Sequence, residues 1–312
     1  MVKISKILIL VLLFAASLLV LLSYSYRKDL TIPDNLSGKH IEISGTKLRV
    51  FQKGAGPNVL FLHGSIGSLE DFETVIPLLD NYRVTTFDRI GHGFSELPPH
   101  PATIASNAQY TSDLINKLQL TNVILVGHSY GGSIALKMAI KRDPNIKALL
   151  LLAPATKPAE TRAIEDLLAK PVIGMGLLRI LQPFIAEDLL REGLMESLKP
   201  NQDRVPDNFI QQRIQLWNDP GILFTRIQQT KAVNQELAEM QTHYPGIQLP
   251  TIILLGEQES HEDIYIGSQE LVEAMPNANL HLVEGAGHYL QYKDPKTVAQ
   301  SIAKLGAFSL KQ

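Results

Sequence analysis

The chain has no cysteine. That excludes disulfides, thiolate catalysis and cysteine-ligated metal. It leaves the compartment open, since a cysteine-free chain tolerates reducing and oxidising surroundings alike. Nor is there a basic surplus: 29 Lys and Arg against 31 Asp and Glu give a formal charge of −2. Nucleic-acid binders carry clustered positive charge, so a polyanionic partner is set aside. Repeats and low-complexity tracts are missing too, apart from one apolar run near the N-terminus. What is abundant is apolar side chain, 45% of 312 residues, enough for the core of one large domain or two modest ones.

The apolar run, ILILVLLFAASLLVLL from Ile7 to Leu22, follows Lys3 and Lys6 and contains Ser17 as its one polar residue. Extended through Ser23 and Tyr24 it reaches the roughly 17–25 residues that a spanning helix needs. The SYSYRKDL that follows lacks an A-x-A-like cleavage site and offers Tyr24 and Tyr26 as interfacial aromatics before Arg27 and Lys28. The expectation is an uncleaved single anchor, residues 7–24 in a membrane and 1–30 forming anchor and flank; a cleaved signal followed by secretion is the alternative.

Beyond a polar linker from Thr31 to Gly38, HIEIS and KLRVFQ read as a hairpin turning at Gly45-Thr46. Continuous apolar runs at 59–62, 84–87, 123–126, 148–152, 251–255 and 280–283 read as strands buried on both faces, as in a parallel sheet covered by helices. Helical patterns at 69–80, 105–118, 131–142, 265–274 and 296–305 alternate with them. This is an α/β class chain with a mostly parallel sheet. The alternation lapses after Pro154 and resumes near Pro250. Patches at 162–170, 175–182, 187–198, 207–217 and 222–240, separated by prolines, predict a helical cap inserted after the sixth strand. The expected organisation is a core of 31–153 and 247–312 with a cap or lid of 154–246.

Chemistry concentrates in Gly127-His128-Ser129-Tyr130-Gly131. Such a pentapeptide is weak alone, but here the strand VILV ends before it and the helical SIALKMAI follows, the strand-turn-helix setting of a nucleophile elbow. Glycines flank the serine because a Cβ there would collide with neighbouring backbone. Ser129 is therefore the candidate nucleophile, with a glycine-rich helix cap as the bland alternative.

With these residues the chain resembles the α/β-hydrolase superfamily, specifically its lidded serine hydrolases, over nearly everything after the anchor. His63-Gly64-Ser65-Ile66-Gly67-Ser68 is similar to the family's HG-x-x-G turn. The resemblance implies an oxyanion hole made by the amides of Ser65 and Tyr130. Asp88 to Ser95, DRIGHGFS, resembles a stretch that is structural in most members. Gly285-Ala286-Gly287-His288 resembles the catalytic GxGH loop and implies His288 as the base that a serine hydroxyl requires. Among the nine histidines, His63, His92 and His128 sit in turn motifs that orient backbone; His40, His100, His243 and His281 read as surface or strand residues. The family's acid follows the strand after the lid, and here GEQESHED places Glu259 there, with Asp263 as competitor and Glu257 and Glu262 as solvated groups. Asp and Glu both serve this role. The order serine, acid, histidine fits this fold.

The resemblance implies a cofactor-free serine esterase working through an acyl-enzyme, a lipid ester being one substrate class. Carbon–carbon bond hydrolysis by the same triad, and an inactive binding protein of the same fold, are the other readings. Epoxide and haloalkane hydrolysis are disfavoured, because those relatives use a carboxylate nucleophile.

Overall fold

The apolar runs pair into one eight-stranded sheet. Its strands are β1 (Lys39–Ile43), β2 (Thr46–Lys53), β3 (Asn58–Leu62), β4 (Arg83–Phe87), β5 (Val123–His128), β6 (Ile146–Leu152), β7 (Thr251–Gly256) and β8 (Ala278–Val283). The order is β1-β2-β4-β3-β5-β6-β7-β8, with the β1–β2 and β2–β4 pairings antiparallel and the rest parallel. The computed structural model describes residues 2–65, 67–158, 163–185 and 187–309.

Period-two alternation splits the central strands between two cores. Leu60, Leu62, Leu125, Leu149 and Leu151 face one layer, which they share with α2 (Ile104–Lys117) and α3 (Tyr130–Ile140). Val59, Phe61, Ile124, Leu150 and Leu152 face the other, against Val298, Ile302 and Leu305 of the C-terminal helix Pro295–Ser309. Burying each such aliphatic side chain is worth about 1.5–3 kcal/mol. Helix Glu262–Ala274 follows β7 and the short Leu290–Lys293 follows the loop after β8.

Three expectations are corrected. The hairpin turns at Ser44 and Gly45, both at positive φ (50° and 77°), and Thr46 already pairs with Ile43. Residues 69–80 form two short 3₁₀ turns, Leu69–Phe72 and Ile76–Leu78, because Pro77 interrupts the amide series. β8 is an edge strand rather than one buried on both faces: Val283 is buried while Leu282 is 54% exposed.

Between β6 and β7 the described residues form α4 (Ala163–Leu168), α5 (Pro171–Leu181), α6 (Glu187–Ser197), α7 (Asp207–Trp217) and α8 (Pro220–Gln241). Their apolar faces, among them Leu194, Leu198, Phe209 and Ile214, close over Tyr289 and Tyr292 of the core. The N-terminal helix α1 (Val2–Ser25) contains a 19-residue apolar stretch, Ile7–Ser25, long enough to cross a membrane and not buried by the rest of the chain. Its C-terminal end crosses α5. The segment after it is tied down: the Tyr26 hydroxyl donates to Asp219 at 2.7 Å, and the Lys28 ammonium donates to the carbonyls of His92 and Ser95 at 3.1 and 2.7 Å. Burial lowers Lys28 to about 8, partly opposed by Asp219 and Asp88.

Candidate active site

β5 ends at His128 and α3 begins at Tyr130, leaving Ser129 alone at the turn with φ 52° and ψ −119°. A non-glycine residue held there stores of order 1–3 kcal/mol and persists only where its surroundings enforce it. The surroundings do so. The Ser129 amide donates to the Leu152 carbonyl at 2.9 Å, while its own carbonyl accepts from Gly132 and Ala155 at 2.9 and 3.1 Å. The flanking glycines are steric necessities. A Cβ on Gly131 would lie 2.2 Å from the Leu62 carbonyl oxygen, and one on Gly127 would lie 2.5 Å from that of Gly131. Ser129 is half-buried at the N-terminus of α3, where the helix dipole favours developing negative charge.

The turn after β3 lies against this serine: a Cβ built on Gly64 would sit 3.2 Å from that of Ser129. Arg89, fully buried, pins the turn. Its Nε donates to the His63 carbonyl at 3.0 Å and its second terminal nitrogen to the Gly64 carbonyl at 2.8 Å. The first reaches Asn107 at 3.1 Å, and the guanidinium lies 4.9 Å from the Tyr130 ring centroid. The Gly64 carbonyl and the Ser65 N–H belong to one planar peptide, so holding the oxygen aims the N–H the opposite way. His63 accepts from the Arg89 amide through Nε2 at 2.9 Å, and burial, with Arg89 next, keeps its ring far below the usual histidine pKa. The stretch from Asp88 to Ser95 is thus structural: Asp88 accepts from the amides of Leu69 and Phe94 and from Arg49. Arg89 was not singled out in the sequence, and no local signal marks it apart from its place after Asp88.

His288 lies in the loop after β8 and is 8% exposed. Its Nδ1 meets Glu259 Oε2 at 2.7 Å. With that proton donated to the carboxylate, Nε2 is the acceptor. The loop is fixed by three hydrogen bonds, two to Asn201 and one to His128. The Gly287 amide donates to Asn201 of the cap at 3.0 Å, Asn201 returns a bond to the Gly285 carbonyl at 3.0 Å, and Nε2 of His128 lies 3.0 Å from the His288 carbonyl. Burial, with His288 next, lowers His128 to about 3, so it stays neutral beside the other imidazole.

Glu259 is used twice. Its Oε1 accepts from the His261 ring at 2.7 Å and from the His261 amide at 3.0 Å, while Oε2 faces His288. Burial opposes its charge, but the hydrogen bonds from His261 and His288 prevail and hold the carboxyl well below its usual range. The same bond raises His261. Asp263 lies in the first turn of the helix that follows and adds to the field on His261. The structure therefore brings Glu259 to His288. His261 was missed, although its position two residues beyond the acid, within reach of a side-chain-to-amide bond, was available as a signal. Donor atoms of Glu259, His261 and His288 lie within 4.8 Å of one another, as metal ligands can. Both Nδ1 atoms and both carboxylate oxygens are already engaged among themselves.

The cap supplies a buried cation. Arg213 of α7 pairs with Asp71 beside Ser68, both side chains at most 1% exposed. Burial raises Asp71 and Arg213 pulls it back, while Asp71 keeps Arg213 charged despite its own burial. A cavity of about 660 Å³ lies elsewhere, between the linker after α1 and helices α7 and α8, lined by Lys28, Phe94, Gln212 and Asp219 among others. None of Ser129, Glu259 or His288 lines it.

A family model described as alpha/beta hydrolase fold matches residues 57–295. The chain is 25% identical to a 2-(acetamidomethylene)succinate hydrolase of Mesorhizobium japonicum, over 86% of this chain and 95% of that one. It is 27% identical to an sn-1-specific diacylglycerol lipase of Xenopus laevis, over 75% of each. Among solved structures, a meta-cleavage product hydrolase from Pseudomonas fluorescens superposes with a TM-score of 0.70 at 18% identity, covering 87% of this chain and 98% of that one. An esterase from Exiguobacterium antarcticum gives 0.69 at 24%, covering 86% and 98%.

Proposed function

The chain belongs to the alpha/beta hydrolase fold family, and from that premise we propose that it is a serine hydrolase of carboxylic esters with Ser129 as nucleophile, His288 as base and Glu259 as acid. The observation that carries the reading is the 2.7 Å bond between His288 Nδ1 and Glu259 Oε2, which selects the tautomer with a free Nε2. Ser129 Oγ attacks the ester carbonyl as Nε2 takes its proton. The amides of Ser65 and Tyr130 receive the oxyanion, a contribution of several kcal/mol for such donors. Collapse expels the alcohol, which leaves with the proton from His288. Water, deprotonated by His288, then attacks the acyl-enzyme and releases the acid, returning the proton to Ser129. No cofactor takes part. The core comprises 31–153 and 247–312, and the cap, 154–246, acts as a lid that selects substrate. Residues 7–24 anchor the enzyme in a membrane.

A second reading has support in the names of relatives. A 2-hydroxymuconate semialdehyde hydrolase of Pseudomonas is 24% identical over 81% of this chain. Hydrolysis of a carbon–carbon bond would use the same three residues. The test is the full-length protein in detergent, offered a fluorophosphonate probe, p-nitrophenyl esters of increasing chain length and a vinylogous diketone. Labelling and ester turnover that vanish in Ser129→Ala support the esterase. Turnover of the diketone alone favours the second reading. A folded protein that neither labels nor turns over points to a binding module.

A further inference from the structure

The cap carries apolar side chains that stand exposed among the described residues. Phe184 is 80% exposed and Leu189 63%, and Ile164, Ile180 and Leu181 are exposed as well. They belong to α4, α5, the turn after α5 and α6. A soluble surface scatters such residues singly; several on consecutive helices mark something that covers them. Their place in the fold identifies the occupant. α5 crosses the C-terminal end of α1 at close range: a Cβ on Gly176 would lie 3.0 Å from the Leu19 carbonyl oxygen and 3.1 Å from its Cα. Small residues that let two backbones approach so closely are how helices associate in lipid. Polar contacts fall at one level of that crossing. Arg179 of α5 donates to the Leu22 carbonyl and, at 2.7 Å, to Ser25, and its guanidinium lies 5.9 Å from the Tyr26 ring centroid. Arginine and tyrosine beside the end of an apolar helix are the groups that settle at a headgroup boundary. α5 therefore lies at the depth where α1 leaves the hydrocarbon, and the exposed side chains of α5 and its neighbours continue the apolar surface of α1.

We propose that this edge of the cap, led by Phe184 and Leu189, inserts into the same bilayer leaflet from which α1 emerges, so that the cap is a membrane-contacting surface and not merely a cover. The proposal rests on the reading of residues 7–24 as an anchor. Its occupant is a phospholipid bilayer; a second copy of the chain is the competing occupant.

Because the chain has no cysteine, single-cysteine labelling is clean. Full-length Phe184→Cys, Leu189→Cys, Leu12→Cys and Leu282→Cys proteins, spin-labelled and reconstituted in phosphatidylcholine vesicles, report depth through the ratio of oxygen to water-soluble nickel-complex accessibility. The expected result is a hydrocarbon-like ratio at 12, 184 and 189 and an aqueous ratio at 282. Label 12 in hydrocarbon with 184 and 189 in water overturns the proposal and leaves the anchor standing. All four in water sinks the anchor reading and the proposal with it. Spin–spin broadening at 184, relieved by dilution with unlabelled protein, assigns the surface to a second copy and also overturns it. As a functional readout, Phe184→Glu is expected to lower turnover of a vesicle-borne ester several-fold while leaving a short soluble p-nitrophenyl ester unchanged.

Discussion

Glu259 stands between two imidazoles, His288 on one oxygen and His261 on the other. Removing its charge while keeping its shape leaves His288 without a partner for its cationic form. Glu259→Gln is therefore expected to lower kcat by about 10³–10⁴-fold, as loss of the acid's charge does in comparable triads. Asp263→Asn changes little, and steady-state kinetics on one p-nitrophenyl ester checks both. His261 invites a different measurement. Its folded-state pKa is raised by Glu259, so the bond contributes stability in full below the usual value of 6.5 and loses it as pH rises through the raised value. The urea midpoint of wild type should exceed that of His261→Gln most at about pH 5.5, and the gap should narrow by about pH 8.5. A gap that grows with pH contradicts this account. At this scale the elbow and GxGH loop were legible in the sequence, because their glycines carry positional meaning. The choice between Glu259 and Asp263 was not: side-chain reach depends on where the backbone leaves β7, and composition is silent on that.

Among the elements, the elbow depends on the passage of three backbones through one narrow space. Gly131→Ala places a methyl against the Leu62 carbonyl, and because that neighbour is backbone in a central strand it cannot turn aside. A loss of about 1–3 kcal/mol is expected, the range for overpacking, along with reduced turnover, since β3 carries the Gly64 turn. Urea unfolding and kinetics on the same preparation separate the two effects. Strands were read well from their apolar runs wherever helices cover both faces, as at β5 and β6. The exceptions have local physical reasons. β8 has a neighbour on one side only, so LHLV is amphipathic in place although apolar in sequence. Residues 69–80 show helical spacing, but Pro77 and the demand for Asp71 at a buried partner hold them in shorter turns.

Over the whole molecule, cap and core are joined by a charge pair with almost no access to water. Removing one partner strands the other, at about 3–5 kcal/mol, whereas replacing both by apolar groups of similar size is often neutral or stabilising. Arg213→Met alone should destabilise strongly, and Arg213→Met with Asp71→Leu should recover most of the loss. Trp217, the single tryptophan, lies in the same helix as Arg213 and reports cap unfolding by its fluorescence. The cap helices were legible as four or five proline-punctuated segments, and five are observed between β6 and β7 among the described residues. The partner that α7 finds in the core was not legible, because nothing local links positions 71 and 213.

The route of the chain through the sheet has one more result. Ser129 lies before the cap and Glu259 and His288 after it, yet β6 and β7 are paired directly, Leu149 to Thr251 through Leu152 to Leu254. Continuity of the polypeptide between the two halves is thus not what holds them in register. Trypsin admitted at the exposed Arg204 would leave two fragments, one bearing Ser129 and the other Glu259 and His288. They should co-migrate on gel filtration in native buffer, still react with a fluorophosphonate, and part only in denaturant. The enzyme is, in that sense, a heterodimer written as one gene product.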